Sequence, residues 1–191
     1  MKILNKTISF VVMALVMSCG AAMAQVEWRT IEEAAKVDTK GNQKFFFVDF
    51  YTSWCGWCKK MDRDTFTDPT VAKLLNKYFI PVKFNAEGNS EFAWNGTPYA
   101  NPAGAAQGGH PATHPFARAV LGAKIGFPSF GVFDASRNRV TILQGYMSAS
   151  EFAITLWYIA SGDYKNYEFE QYKTHFDEKF RGNMNKALGI N

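Results

Sequence analysis

Cys55 and Cys58 stand two residues apart in Trp54-Cys55-Gly56-Trp57-Cys58-Lys59-Lys60-Met61. An apolar run from Phe45 to Tyr51 precedes them and a helical pattern follows. The spacing predicts a strand that delivers Cys55 to the first turn of a helix. Unpaired N–H groups and the positive end of the helix dipole favour a thiolate there. Cys58 falls one turn on, within reach of a disulfide with Cys55. Such a pair is a reversible two-electron switch. Cys55, at the helix start and the less buried of the two, is expected to attack, and Cys58 to resolve the mixed disulfide. A structural disulfide or half of a zinc site would use the same spacing. Zinc takes four N/S ligands, and His110, His114 and His175 are the histidines available.

Asp49 is the acid inside the apolar run Phe45-Phe46-Phe47-Val48-Asp49-Phe50-Tyr51. Burial disfavours its charged form and raises its pKa. A carboxylate that titrates near neutrality can take the proton from Cys58 as that thiol attacks. The structural alternative is a backbone partner at a strand end. Trp54 and Trp57 offer an apolar rim for docking unfolded segments, or else pack on the helix.

The elements around these residues follow from periodicity. Trp28 to Val37 reads as a short amphipathic helix, and Lys40-Gly41-Asn42 as a turn. Phe45–Tyr51 lacks alternation, which suits a strand buried on both faces. A helix is expected from Gly56 to about Asp64, and Asp68-Pro69 opens another as N-cap and first residue. Val71, Leu74, Leu75 and Tyr78 continue it, and Ile80 to Phe84 is the next strand. Residues 88–113 form a Gly/Pro-rich insert carrying Phe92, Trp94 and Tyr99. A lid, a partner-docking loop and a tolerated decoration are its open readings. A short helix runs from His114-Pro115 through Val120, and Phe127–Phe133 and Val140–Leu143 read as a hairpin. Ser148-x-x-Glu151 caps a helix bearing Phe152, Leu156 and Ile159 that stops near Gly162. A final helical extension, 163–191, carries Phe169, Tyr172, Phe176 and Phe180.

Lys2 and Lys6, an apolar core from Ile8 to Met17 and Ala22-Met23-Ala24 make residues 1–24 read as an export signal. The apolar stretch is short against the ~20 residues of a membrane span. An alternative is lipid anchoring through Cys19 in Val16-Met17-Ser18-Cys19-Gly20. Either route leaves Cys55 and Cys58 as the reactive pair, in one domain spanning 25–191. An exported protein with two cysteines at this spacing uses them for redox exchange or metal, since so short a loop staples little. The formal charge of +4 includes Lys2 and Lys6, so the balance argues for neither nucleic acid nor a membrane surface.

The element order and these motifs resemble the thioredoxin family. Trp54-Cys55-Gly56-Trp57-Cys58-Lys59 is similar to its W-C-G-x-C-K active site, and Asp49, six residues before Cys55, to its buried acid. Lys83 in Val82-Lys83-Phe84-Asn85 resembles the lysine beside that acid, with a plain surface lysine as the alternative. Gly126-Phe127-Pro128-Ser129 resembles the G-x-P-T loop whose proline is cis and faces the cysteines; an edge-strand proline is the alternative. Lys59-Lys60-Met61 and Asp68-Pro69 are similar to an exported subgroup. Trp57 in place of proline, Ser129 in place of threonine and the insert depart from the pattern. The resemblance implies an α/β fold with a central mixed β-sheet flanked by helices. It also implies catalysis by Cys55, Cys58, Asp49 and Lys83, and substrate binding by Trp54, Gly56, Trp57, Phe127 and Pro128. The expected activity is reduction of protein disulfides in a periplasmic or secreted setting. The Cys pair serves as the redox group, with no cofactor and no metal. Expected partners are disulfide-containing proteins and an upstream thiol donor, for which a membrane electron carrier is one source. A partner-binding module and a metal-handling protein are the alternatives.

Overall fold

The computed structural model describes residues 25–41, 43–101, 106–107 and 110–190. The expected signal segment with Cys19, residue 42 of the turn, and residues 102–105 and 108–109 of the insert lie outside them. Helix α1 (Ile31–Ala35) starts where Thr30 and Glu33 form a capping box. It is shorter than periodicity predicts, because Arg29 instead bridges in parallel to Val82. Strand β1 (Phe45–Tyr51) leads to α2 (Gly56–Asp64), which Cys55 caps. Asp68 caps α3 (Pro69–Tyr78), accepting the N–H groups of Thr70 and Val71, and β2 (Phe79–Asn85) follows directly.

The insert holds two small strand pairs, β3 (Phe92–Trp94) with β4 (Thr97–Tyr99) and β5 (Ala106–Gln107) with β6 (His110–Pro111). Asn95 and Gly96 supply the two positive φ values, 50° and 80°, of a tight hairpin turn. Helix α4 (Pro115–Leu121), the antiparallel strands β7 (Ser129–Phe133) and β8 (Arg139–Gln144) and α5 (Ala149–Ala160) complete the sheet and its cover. The expected terminal helix is broken into α6 (Phe169–Thr174), a π-turn over Phe176–Phe180 and α7 (Arg181–Leu188). The break keeps Phe176 and Phe180 on Tyr172, with ring centroids 5.9 and 4.1 Å away.

The main sheet has the order β2-β1-β7-β8, with β1 parallel to β2 and the other pairs antiparallel. This is the expected central mixed sheet. β1 is interior to the sheet and buried on both faces, so its residues need not alternate in polarity. Phe47 packs with Phe130, Phe152 and Met61 of α2 on one side. Phe46, Val48 and Phe50 pack with α1, α4 and Trp94 of the insert on the other. Side chains two apart share a face of a strand. Asp49 therefore lies on the Phe47 side, which α2 covers. The first half of the insert is part of the core: Phe92, Trp94 and Tyr99 each lie within 5.6 Å of the Phe116 ring.

Candidate active site

Cys55 is the N-cap of α2, with an extended backbone, and its Sγ accepts the Cys58 N–H at 3.0 Å. A sulfur aimed at a helix's unpaired N–H groups is stabilised as a thiolate once the disulfide opens. Cys58 lies on the first turn and is disulfide-bonded to Cys55, with the Cα atoms 5.3 Å apart. Exposure does not separate the pair as expected: Cys55 is 4% and Cys58 3% exposed. What distinguishes Cys55 is its capping position.

Trp54 and Trp57 flank the disulfide and are 55% and 58% exposed. The Trp54 indole donates to Glu87 Oε2 at 2.9 Å and meets Phe127 edge-on at 6.3 Å. Trp57 lies 5.5 Å from Tyr146. Gly56 is exposed, and a Cβ there would meet nothing. The Phe127–Pro128 bond is cis, and the carbonyl of the buried Pro128 accepts the Gly145 N–H at 2.9 Å. The strand it precedes, β7, is interior, so the edge-strand reading of Pro128 does not hold. The Trp54–Phe127 contact brings the loop and the Cys motif together.

Asp49 is 1% exposed and pairs in register with Lys83 across β1 and β2. Its Oδ2 accepts from Lys83 Nζ at 2.6 Å, while its buried Oδ1 has no hydrogen-bond partner among the described residues. Burial pushes the carboxyl from an ordinary 3.8 up to about 6, against the pull of the Lys83 ammonium. Burial also works against the Lys83 charge, but Asp49 and Asp62 outweigh it and hold the ammonium above its ordinary range.

Asp62 is a residue that the sequence reading missed. It follows Cys58 by four positions on α2, and Lys83 Nζ donates to its Oδ1. One ammonium thus ties the Cys-bearing helix to the acid of β1. Asp62→Asn removes a negative charge that raises Asp49 and leaves Lys83 more fully to Asp49. The Asp49 midpoint is therefore expected to fall below about 6, read by NMR titration of its carboxyl carbon. A midpoint that stays or rises would refute the coupling.

His114 has no exposed surface and spends both ring nitrogens on structure. Nδ1 accepts the Phe116 N–H at 3.0 Å, so the proton sits on Nε2 and is donated to the Ser90 carbonyl at 2.9 Å. Burial holds its pKa below the ordinary value. Among the described residues no group of three or more His, Cys, Asp or Glu side chains is placed to hold a metal ion.

The family described as thioredoxin-like domain matches residues 32–160, which include every one of these positions. The chain belongs to that family. The thiol:disulfide interchange protein DsbD of Tatumella citrea is 28% identical over 125 residues, covering 64% of this chain and 18% of its own. Protein disulfide-isomerase of Ricinus communis is 30% identical over 92 residues, covering 44% of this chain and 18% of its own. The chain thus spans less than a fifth of these relatives' length. A solution structure of a thioredoxin from Thermus thermophilus superposes with a TM-score of 0.52 at 20% identity, over 76% of this chain and 98% of that one. That likeness is one of fold.

Proposed function

We propose that this protein is an exported thiol–disulfide oxidoreductase that reduces disulfides in other proteins. The observation that carries the reading is the N-cap geometry of Cys55, one turn from Cys58 and bonded to it. The Cys55 thiolate attacks one sulfur of a substrate disulfide, forming a mixed disulfide and expelling the other sulfur as a thiolate. Cys58 then gives its proton to Asp49 and attacks Cys55 Sγ. The Cys55–Cys58 bond closes and the second substrate thiolate leaves. Two electrons pass from the dithiol to the substrate, whose two thiolates take one proton from Asp49 and one from solvent. An upstream dithiol donor returns the electrons, so the Cys pair is itself the redox group. Lys83 holds Asp49 in place. The exposed Trp54 and Trp57 form the receiving surface with the half-buried Phe127, and the buried cis Pro128 sets the course of the loop that carries it. Membership of the thioredoxin-like family and the DsbD and protein disulfide-isomerase relatives support the chemistry. The signal-like residues 1–24 support export, with 25–191 as the mature domain.

Insulin reduction by dithiothreitol tests the activity. The protein should accelerate it over a Cys55→Ser control, and equal rates would remove the enzymatic claim. Direction is read by equilibrating the Cys pair with glutathione. A potential near about −270 mV is expected for a reductase, and one near about −120 mV would make the protein an oxidant.

A further inference from the structure

β8 is the last strand of the main sheet and, among the described residues, is paired on one side only, by β7. Its middle, Val140-Thr141-Ile142-Leu143, is half-buried and carries neither charge nor proline. Edge strands that must stay unpaired are ordinarily blunted by charge, proline or a covering element. The register shift between β7 and β8 passes over Val140, and pairing is regular from Thr141 to Gln144.

A groove of about 530 Å³ runs along this edge, its lining including the whole stretch from Val140 to Gln144. Tyr158 of α5, with Tyr164 and Phe169 of the terminal extension, stands opposite. That wall is held by its own packing: Tyr158 meets Phe169 at 5.2 Å and Tyr172 at 4.8 Å, and its hydroxyl donates to the Tyr167 carbonyl. At its other end the groove reaches Met147, whose N–H meets Met61 Sδ at 3.4 Å, three residues beyond Cys58 on α2. Tyr146, next to Met147, lies against Trp57. The groove therefore ends one residue from the ring that packs on Trp57.

We propose that this groove receives an extended segment of the polypeptide whose disulfide Cys55 attacks, added as a fifth strand along β8. The assignment rests on the oxidoreductase reading above. An unpaired strand edge offers main-chain donors and acceptors that only an extended chain can satisfy in series, and alternate apolar side chains would enter the groove. The terminal extension thereby gains a role as the outer wall of a substrate channel.

The test uses the oxidised full-length protein and a capped, cysteine-free peptide, Lys-Val-Thr-Val-Thr-Val-Lys. Its counterpart has proline at the first threonine and at the central valine, which removes an N–H from each edge, and cannot pair as a strand. Amide exchange at Val140–Gln144 should slow about tenfold with the first peptide and not with the second, as two net hydrogen bonds would give. No slowing, equal slowing by both, or slowing confined to Trp54 and Trp57 would overturn the groove. Both peptides are then lengthened at one end by a cysteine disulfide-linked to free cysteine and offered to the reduced protein as substrates. A KM about tenfold lower for the first supports the channel, and equal KM values would overturn it while leaving the Cys55 chemistry standing. Reduction of neither peptide, with β8 protection intact, removes the reductase reading and leaves a strand-docking edge.

Discussion

Asp49→Asn is expected to yield a protein that is more stable at neutral pH yet slower in turnover. The carboxyl is fully enclosed, and burial raises it from 3.8 to about 6. Between these two values the folded state holds a proton that the unfolded chain has released, so stability falls as pH rises through the window. Above about 6 the folded protein carries the whole cost of a buried carboxylate, on the order of 3 kcal/mol. Asparagine has no charge to desolvate, and Lys83 keeps Asp62 as its counter-ion. The variant should therefore unfold at higher denaturant than wild type at pH 7, and the difference should shrink towards zero by about pH 4. Turnover moves the other way. Without a base the Cys58 thiol loses its proton unaided, and closure of the Cys55–Cys58 bond should slow about 100-fold. Wild-type closure should also rise with pH through about 6, an inflection the variant lacks. Denaturant melts at several pH values read the first half, and stopped-flow tryptophan fluorescence the second. A variant less stable at pH 7, with closure at the wild-type rate, would mean that Asp49 is a structural ion-pair partner and nothing more.

How much of this was legible in the sequence depends on how local each signal was. The β1 run, the Cys55 cap, the Asp68-Pro69 start and the Ser148–Glu151 capping box are written in adjacent residues, and each sits where its pattern places it. Asp49 could be read as buried because apolar residues continue on both sides of it. The Lys83 contact needed the β1–β2 register, which no local pattern encodes. Asp62 was missed because its meaning lies in a partner 21 residues away on another element. The insert's role stayed open in the sequence because its strands, of three and two residues, are too short to show alternation. What orders it is the Asn95-Gly96 turn and the distant Phe116, on which its aromatics gather. With the disulfide closed the two cysteines differ little in exposure, so their roles rest on which of them caps the helix.

The sharpest division of labour is expected between Cys55→Ser and Cys58→Ser. Only Cys55 occupies the N-cap, where its sulfur faces the N–H of Cys58; Cys58 is inside the first turn. Mixed-disulfide formation with a protein substrate should therefore need Cys55 and tolerate loss of Cys58. In the intact protein Cys58 ends that adduct intramolecularly, from a Cα only 5.3 Å away. A reacting group held in place acts at an effective concentration far above that of any thiol in solution. Removing it should lengthen the adduct's life at least about 10³-fold when the remaining thiols are millimolar. Cys58→Ser should accumulate covalent complexes that survive non-reducing electrophoresis and dissolve in dithiothreitol, with mass spectrometry placing the bond at Cys55. Cys55→Ser should form none. If adducts form through Cys58 in Cys55→Ser while Cys58→Ser stays free, the helix terminus does not choose the nucleophile. The roles would then be reversed, and Asp49 would be serving the attacking thiol in place of the resolving one.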